Sequence, residues 1–192
     1  MRMQLTALKG LWAYVAGLVL TCTLMSGGRA SADIPGKLVP PVGSVEVTRG
    51  YGVGVQIYHS APDATDPTKF VWKFFAPEAT LFNNAGNAFI HHFGGPSWET
   101  DNGSLVVGAL VDAEPSANPN SIAQLLLSGA SHSGNGLLSR VTFIQRLDTS
   151  GGVAPATLPT ALGQEVQVPY TATYVFFNSS HGDSSSRAAA HR

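Results

Sequence analysis

Residues 165–177 read EVQVPYTATYVFF, and the alternation of apolar and polar side chains in this stretch decides the fold class. One parity carries Val166, Val168, Tyr170, Ala172, Tyr174 and Phe176, whereas the other carries Gln167, Thr171 and Thr173. Because successive side chains of a strand point to opposite faces, the pattern predicts a strand with one buried face. Pro169 lacks an N–H, so a sheet edge or a bulge is expected there.

Shorter alternating segments, separated by Gly, Pro and Asn clusters, fill most of the chain before this strand. They predict further strands at residues 53–58, 70–76, 79–83, 87–93, 104–111 and 138–147. The pair Ala76-Pro77 is expected to end the strand that starts at Phe70. Tight turns are expected at Asn84-Ala85-Gly86 and Asn102-Gly103, since Asn and Gly accept positive φ.

Residues 121–127 (SIAQLLL) are the ambiguous segment. Ser121 could N-cap a short helix over Leu125 and Leu126, or the run could be one more buried strand, and we favour the helix. No βαβ alternation is visible elsewhere. The sequence therefore predicts an all-β fold, namely a single antiparallel β-barrel or β-sandwich of about eight strands, with one short helix near residues 121–127.

Strand parity also predicts which side chains face the core. In residues 138–147, Val141, Phe143 and Leu147 are expected on the apolar face, opposite Arg140, Thr142 and Arg146. Gln145 shares the apolar parity, so it requires a buried hydrogen-bond partner or marks a bulge. In residues 53–58, Val53, Val55 and Ile57 share one face, whereas Gln56 and Tyr58 form a polar and aromatic face opposite them.

The ends of the chain differ from its centre. Residues 1–32 are typical of a secretory signal peptide, with Arg2 and Lys9 before an uncharged apolar run at 11–25 and an Ala30-Ser31-Ala32 cleavage site. Residues 33–50 form a Pro/Gly-rich lead-in, residues 51–177 the β domain, and residues 178–192 a polar tail expected to be flexible. We therefore expect an exported protein, periplasmic, secreted or at the cell surface, with no membrane span after cleavage.

Composition excludes several function classes. The chain has 192 residues, a formal charge of -1 and only 12% charged residues, which disfavours a nucleic-acid partner because phosphate binding needs a cationic surplus. The signal segment contains Cys22, the only cysteine. The exported domain would then have no disulfide and no thiolate, and no cofactor fingerprint is present.

Several phrases together resemble an exported-protein family catalogued as domain of unknown function 3455. They lie in order from about residue 38 to 178 and include GVQIY (54–58), WKFFAPEA (72–79), HFGGPSWE (92–99) and VPYTA (168–172). The chain departs from the family pattern at Ser60, where a Cys is usual, at Asn102, where an Asp is usual, and at Ala123-Gln124, where a Pro-Trp pair is usual. The resemblance implies export and a β-rich domain, and it implies no activity.

The segment at residues 91–101 (HHFGGPSWETD) is the richest in side chains that could carry chemistry. His91 and His92 are adjacent and must face opposite ways in a strand, and His92 belongs to the family phrase. Catalysis, if any, is expected from His92 with Glu99 or Asp101 as a hydrolase- or lyase-type site. The competing interpretation is a half-buried His92 bonded to backbone.

A metal site is not predicted, although a metal-binding protein that uses His92 and Asp101 stays an alternative. The possible ligands are His59, His91 or His92, Glu99, Asp101 and His132, and no two histidines have HxH or HxxxH spacing. The favoured interpretation is a non-catalytic binding or surface-associated module for a small molecule, a glycan or a surface partner. Its expected ligand-binding residues are Tyr58, Gln56 and Trp98.

Overall fold

The computed structural model describes residues 34–179, and the predicted signal peptide and residues 180–192 lie outside them. The described part is all-β, with eight strands and one short 3-10 turn, η1 (Gly36–Leu38). The strands are β1 (Ser44–Pro62), β2 (Phe70–Phe82), β3 (Ala88–Phe93), β4 (Ser97–Thr100), β5 (Leu105–Glu114), β6 (Gln124–Ser133), β7 (Phe143–Gly151) and β8 (Glu165–Ser179). Each strand pairs antiparallel with the next and β8 pairs with β1, so the sheet closes on itself. The all-β prediction is confirmed.

The expected helix at residues 121–127 is wrong, because most of this segment belongs to β6. Ser121 forms an isolated bridge with Gly152, and Leu125, Leu126 and Leu127 pair with β7. Leu126 and Leu127 are both buried, in two different clusters on the two faces of the sheet. An apolar run that is buried on both faces has no period of two, which is why the sequence does not separate strand from helix.

The prediction that Ala76-Pro77 ends a strand is also wrong, since β2 continues to Phe82. Ile57 pairs with Ala76 and Tyr58 with Phe74, so Phe75 is the extra residue of a β-bulge. Pro77 pairs with β1 but lies before the β2 residues that pair with β3, at a free edge where its missing N–H costs no ladder bond.

The interior face of β8 agrees with the predicted parity. Tyr170, Ala172, Tyr174 and Phe176 are buried inside the ring. The Tyr174 ring occupies space that Gly52 leaves open, because a Cβ on Gly52 would lie 2.8 Å from that ring. Gly52 on β1 thus makes room for the Tyr174 ring on β8.

A second, smaller core covers the outer face of β6, β7 and β8. It consists of Leu38, Leu126, Leu147 and Val175, so the lead-in before β1 packs against the outside of the ring. Gln145 Nε2 donates to the Leu38 carbonyl at 2.7 Å, which confirms that Gln145 needs a buried partner. The sequence predicted one apolar face for β7, whereas both faces of this strand are covered in the structure. Ile144 faces the interior, and Arg146 follows it on the same side.

The two ends of the ring carry different connections. Since the strands run alternately up and down, one end of the ring carries the connections at residues 63–69, 94–96, 115–123 and 152–164. We call it the cavity end, because residues of these connections line a cavity inside the ring. The opposite end is filled by Leu138 and Val141 from the β6–β7 connection. Within residues 34–179, no helix has the length and apolar character needed to cross a membrane.

Candidate functional site

A cavity of about 460 Å³ lies inside the ring at the cavity end. That volume is within the range of small-molecule sites and equals the liquid volume of about 15 water molecules. Every strand except β5 contributes at least one side chain to its lining. The lining residues are Gln56, Tyr58, Phe74, Phe75, Pro77, His92, Gly95, Pro96, Trp98, Ile122, Ala123, Leu125, Leu127, Arg146 and Tyr174.

Gln56 and Tyr58, the residues that the sequence places on a polar and aromatic face of β1, point into this cavity. Both are buried, whereas Val53 on the opposite face is 44% exposed. The Tyr58 hydroxyl donates to the Gly152 carbonyl at 2.6 Å, which ties β1 to the end of β7. Gln56 Nε2 is buried and makes no hydrogen bond of 3.5 Å or less among the described residues, although the Gln56 side chain interacts with the Tyr170 hydroxyl. A buried amide donor without a full hydrogen bond is costly.

His92 and Trp98 form the aromatic wall of the cavity. They are register partners across the β3–β4 hairpin, and their rings stack at 4.4 Å with an interplanar angle of 4°. The Tyr174 ring meets both edge-on. Trp98 Nε1 is buried and unpaired within the described part of the chain. The hairpin therefore brings together two of the residues that the sequence singled out.

The His92 imidazole is held in one tautomer and in one charge state. Its Nδ1 donates to the Ser97 carbonyl at 2.8 Å, which leaves Nε2 as an acceptor. Burial lowers the pKa of His92 to about 3, and the hydrogen bond to Ser97 offsets only part of that effect. His92 is therefore neutral at physiological pH.

Glu99 and Asp101 do not join His92. Glu99 pairs with His91 across the hairpin, so its side chain leaves the sheet on the face opposite to His92. Asp101 is exposed in the β4–β5 turn, and neither acid lines the cavity. The residues expected for a His92-centred hydrolase or lyase are thus separated by the sheet.

The remaining histidines make local contacts elsewhere. His91 contacts Glu78 on the outside of the sheet, His59 pairs with Glu165 at 3.1 Å, and His132 contacts the Val141 carbonyl. Across residues 34–179, no group of three His, Cys, Asp or Glu side chains could hold a metal ion.

Arg146 is the functional candidate that sequence reasoning missed. Its Nε and Nη2 both donate to the Ala123 carbonyl, at 3.1 Å and 2.9 Å. It forms no ion pair with any described carboxylate. The alternation in β7 assigned Arg146 to an outer polar face. The signal that could have found it is Gln145, whose apolar parity already indicated that β7 is not a simple two-sided strand.

Two buried tyrosines lie between Arg146 and Gln56, because the Arg146 side chain interacts with the Tyr174 hydroxyl and the Gln56 side chain with the Tyr170 hydroxyl. The Tyr170 and Tyr174 hydroxyls are 2.9 Å apart. Burial raises the pKa of Tyr174, and the nearby Arg146 guanidinium partly offsets that increase. Burial also raises the pKa of Tyr170. Both phenols are therefore neutral and available as hydrogen-bond donors or acceptors.

Phe74 and Phe75 form the rim of the cavity and were also missed. The bulge in β2 places two consecutive phenylalanines there, 55% and 63% exposed. Phe74 meets the Tyr58 ring edge-on, and Phe75 stacks on His59 at 4.1 Å. Because the sequence predicted that this strand ends at Ala76-Pro77, it did not indicate a bulge at Phe75.

Comparison with protein families identifies one match. Residues 85–178 match the family described as Protein of unknown function (DUF3455). This match confirms the resemblance drawn from the sequence phrases over that region, which contains β3 to β8 and most of the cavity wall. Searches of the curated proteins and of the solved structures give no significant match.

Proposed function

We propose that this chain, whose residues 85–178 match a family of unknown function, is an exported, non-catalytic binding protein that takes a small apolar molecule into the cavity. The observation that carries the proposal is the largely apolar cavity of about 460 Å³, into which the polar side chains of Gln56 and Arg146 also point. Eight-stranded barrels have an interior just wide enough to be filled or to hold one small ligand. The proposed export rests on residues 1–32 of the sequence.

The lining has the composition of a ligand site. Apolar and aromatic side chains predominate, and a few polar groups converge from different strands. Phe74 and Phe75 place exposed rings at the rim, where an incoming apolar molecule would cover them. These features support binding of a compound with an apolar body.

The same lining argues against hydrolysis within the cavity. Among the described residues that line it there is no carboxylate, thiol or aliphatic hydroxyl, so no side chain there matches the usual nucleophiles of acyl or glycosyl transfer. His92 has no acidic partner to orient it, because its Nδ1 bonds to backbone. A binding role needs neither a nucleophile nor an acidic partner for His92.

The test is titration of the purified domain with phenylnaphthylamine, a neutral dye that fluoresces in apolar surroundings. We expect saturable binding, and we expect Leu125→Trp to weaken it because Leu125 lines the cavity and the larger ring takes up its space. Leu110→Trp is the matched control, since Leu110 is 64% exposed on β5 and does not line the cavity.

Equal weakening by both variants, or no saturable binding by the parent domain, would overturn the proposal. Circular dichroism of each variant checks that the fold is retained, and a second substitution, Leu127→Phe, repeats the test from deeper in the cavity.

A further inference from the structure

We infer that the ligand carries a carboxylate, or an equivalent planar anionic group, that Arg146 binds while its apolar body contacts Leu125 and the exposed rings of Phe74 and Phe75. This inference rests on the proposed function and adds the chemical class of the ligand. It is carried by the arrangement around one cavity of an arginine without an ion-pair partner and an apolar rim with two exposed aromatic rings.

Arg146 has donors to spare. A guanidinium carries five N–H groups; those at Nε and Nη2 of Arg146 donate to the Ala123 carbonyl, and the side chain also interacts with the Tyr174 hydroxyl. That carbonyl fixes the plane of the guanidinium without neutralising its charge. A fixed planar fork with free N–H groups fits a carboxylate in a bidentate manner.

The charge of the cavity favours an anion. Arg146 is the one charged side chain among the described lining residues, because His92 is neutral. No described acid neutralises it in an ion pair. An electrostatic attraction is stronger in such a partly desolvated site than in bulk water.

Two further side chains that can donate hydrogen bonds, Gln56 and Tyr174, line the cavity with Arg146. Gln56 is 3% exposed, and its Nε2 makes no hydrogen bond of 3.5 Å or less within residues 34–179, although the side chain interacts with the Tyr170 hydroxyl. The neutral phenol of Tyr174 lies beside Arg146. A group with several acceptor oxygens and no proton would satisfy these donors together, whereas an amine or ammonium ligand would add further donors.

The apolar part of the ligand has its own contact surface. The rings of Phe74 and Phe75 are exposed at the rim, Leu125 lies on the β6 side, and the buried His92–Trp98 stack closes the cavity behind them. Flat aromatic compounds gain offset-stacking and burial energy against exposed aromatic rings. The favoured class is therefore a small aromatic carboxylate.

The experiment compares naphthoate with naphthamide, its neutral isostere, by isothermal titration calorimetry on the purified domain. We expect naphthoate to bind about tenfold more tightly or better, because hydrogen bonds to a charged group are the stronger class. We expect Arg146→Gln to remove most of this preference, so that naphthoate loses about tenfold more affinity than naphthamide does. Arg140→Gln, at an exposed arginine outside the cavity, is the matched control.

The outcomes separate the two proposals. If phenylnaphthylamine and naphthamide bind but naphthoate gains nothing, the carboxylate inference is overturned and the binding function stands. If no probe binds, both fail. Should Arg146→Gln not fold, Arg146→Lys keeps the charge but loses the fork, and an unchanged preference for naphthoate in that variant would contradict bidentate recognition.

Discussion

The imidazole of His92 and the indole of Trp98 stack at 4.4 Å and nearly parallel, directly across the β3–β4 hairpin. Both side chains are 1% exposed, although one of them is an ionisable group. The stack is possible because Nδ1 has a backbone acceptor at Ser97 and because the ring stays uncharged. The wall of the cavity therefore depends on the protonation state of His92.

Acid should destabilise the domain through His92. The folded pKa is about 3 against an ordinary 6.5, so between these values the unfolded chain binds more protons and stability falls as the pH is lowered. We expect a loss of about 2 kcal/mol from this residue between about pH 7.5 and pH 5. Urea unfolding at both pH values measures it, and His92→Phe, which keeps an aromatic ring, should lose correspondingly less.

The control for that measurement is His132→Gln, at an exposed histidine outside the cavity. A His92→Phe profile parallel to that of the parent chain would show that His92 is not buried in its neutral form.

Gln56→Leu should raise the free energy of unfolding, because it removes a buried donor that makes no hydrogen bond of 3.5 Å or less within the described chain. The expected gain is about 1 kcal/mol or more, the cost of an unsatisfied buried polar group. Gln145→Leu is the matched comparison, since Gln145 is equally buried but donates to the Leu38 carbonyl. Gln145→Leu should lower the free energy of unfolding. If both substitutions changed that free energy in the same direction, the assigned hydrogen bonding would be contradicted.

Gly108→Ala should disturb the Trp98 wall. A Cβ at position 108 would lie 3.0 Å from Trp98 Cζ3 and 3.1 Å from Leu127 Cδ2, closer than packed atoms normally approach. We expect destabilisation of about 1–3 kcal/mol, as for other overpacked cores. Thermal unfolding monitored by tryptophan fluorescence measures it. Gly36→Ala, where a Cβ would meet nothing within 4 Å, should leave stability unchanged or slightly higher.

Leu38→Ala should show how much the packing of the lead-in contributes to the free energy of unfolding. Leu38 is fully buried in the outer cluster, so truncation should cost about 2–5 kcal/mol by denaturant unfolding. Val42→Ala, at a fully exposed neighbour, should be close to neutral. If the two variants matched, the lead-in would not contribute to the stability of the barrel.

Export should remove residues 1–32. We expect the mature protein to begin at Asp33, which N-terminal sequencing of the exported protein determines. Leu18→Arg, which places a charge in the apolar run, should keep the protein in the cytoplasm with its full N-terminus. A mature protein that still contained Met1 would refute the expected cleavage.

The side-chain orientations predicted from the sequence agree with the structure better in β8 than in β7. Residues 165–174 alternate cleanly because one face of this part of β8 packs inside the ring, where Tyr170, Ala172 and Tyr174 are buried as predicted. Val166 and Val168, predicted on the same face, are only partly buried, and Val175 breaks the alternation because it packs in the outer cluster. In β7 the lead-in covers the outer face as well, so apolar residues appear on both parities and Arg146 was assigned to the wrong side.

Local sequence is enough to predict the all-β class, the turns at Asn84-Ala85-Gly86 and Asn102-Gly103, and the grouping of Gln56 with Tyr58 on one face, since each follows from neighbours within a few residues. That this face lines a cavity follows only from the folded arrangement of the strands. The same arrangement places Glu99 and Asp101 away from His92, and it brings Arg146 on β7 into the same cavity as Gln56 on β1, with β8 between them. Ring closure between β1 and β8 sets those distances, and closure depends on pairing between residues far apart in the chain, which no local pattern encodes.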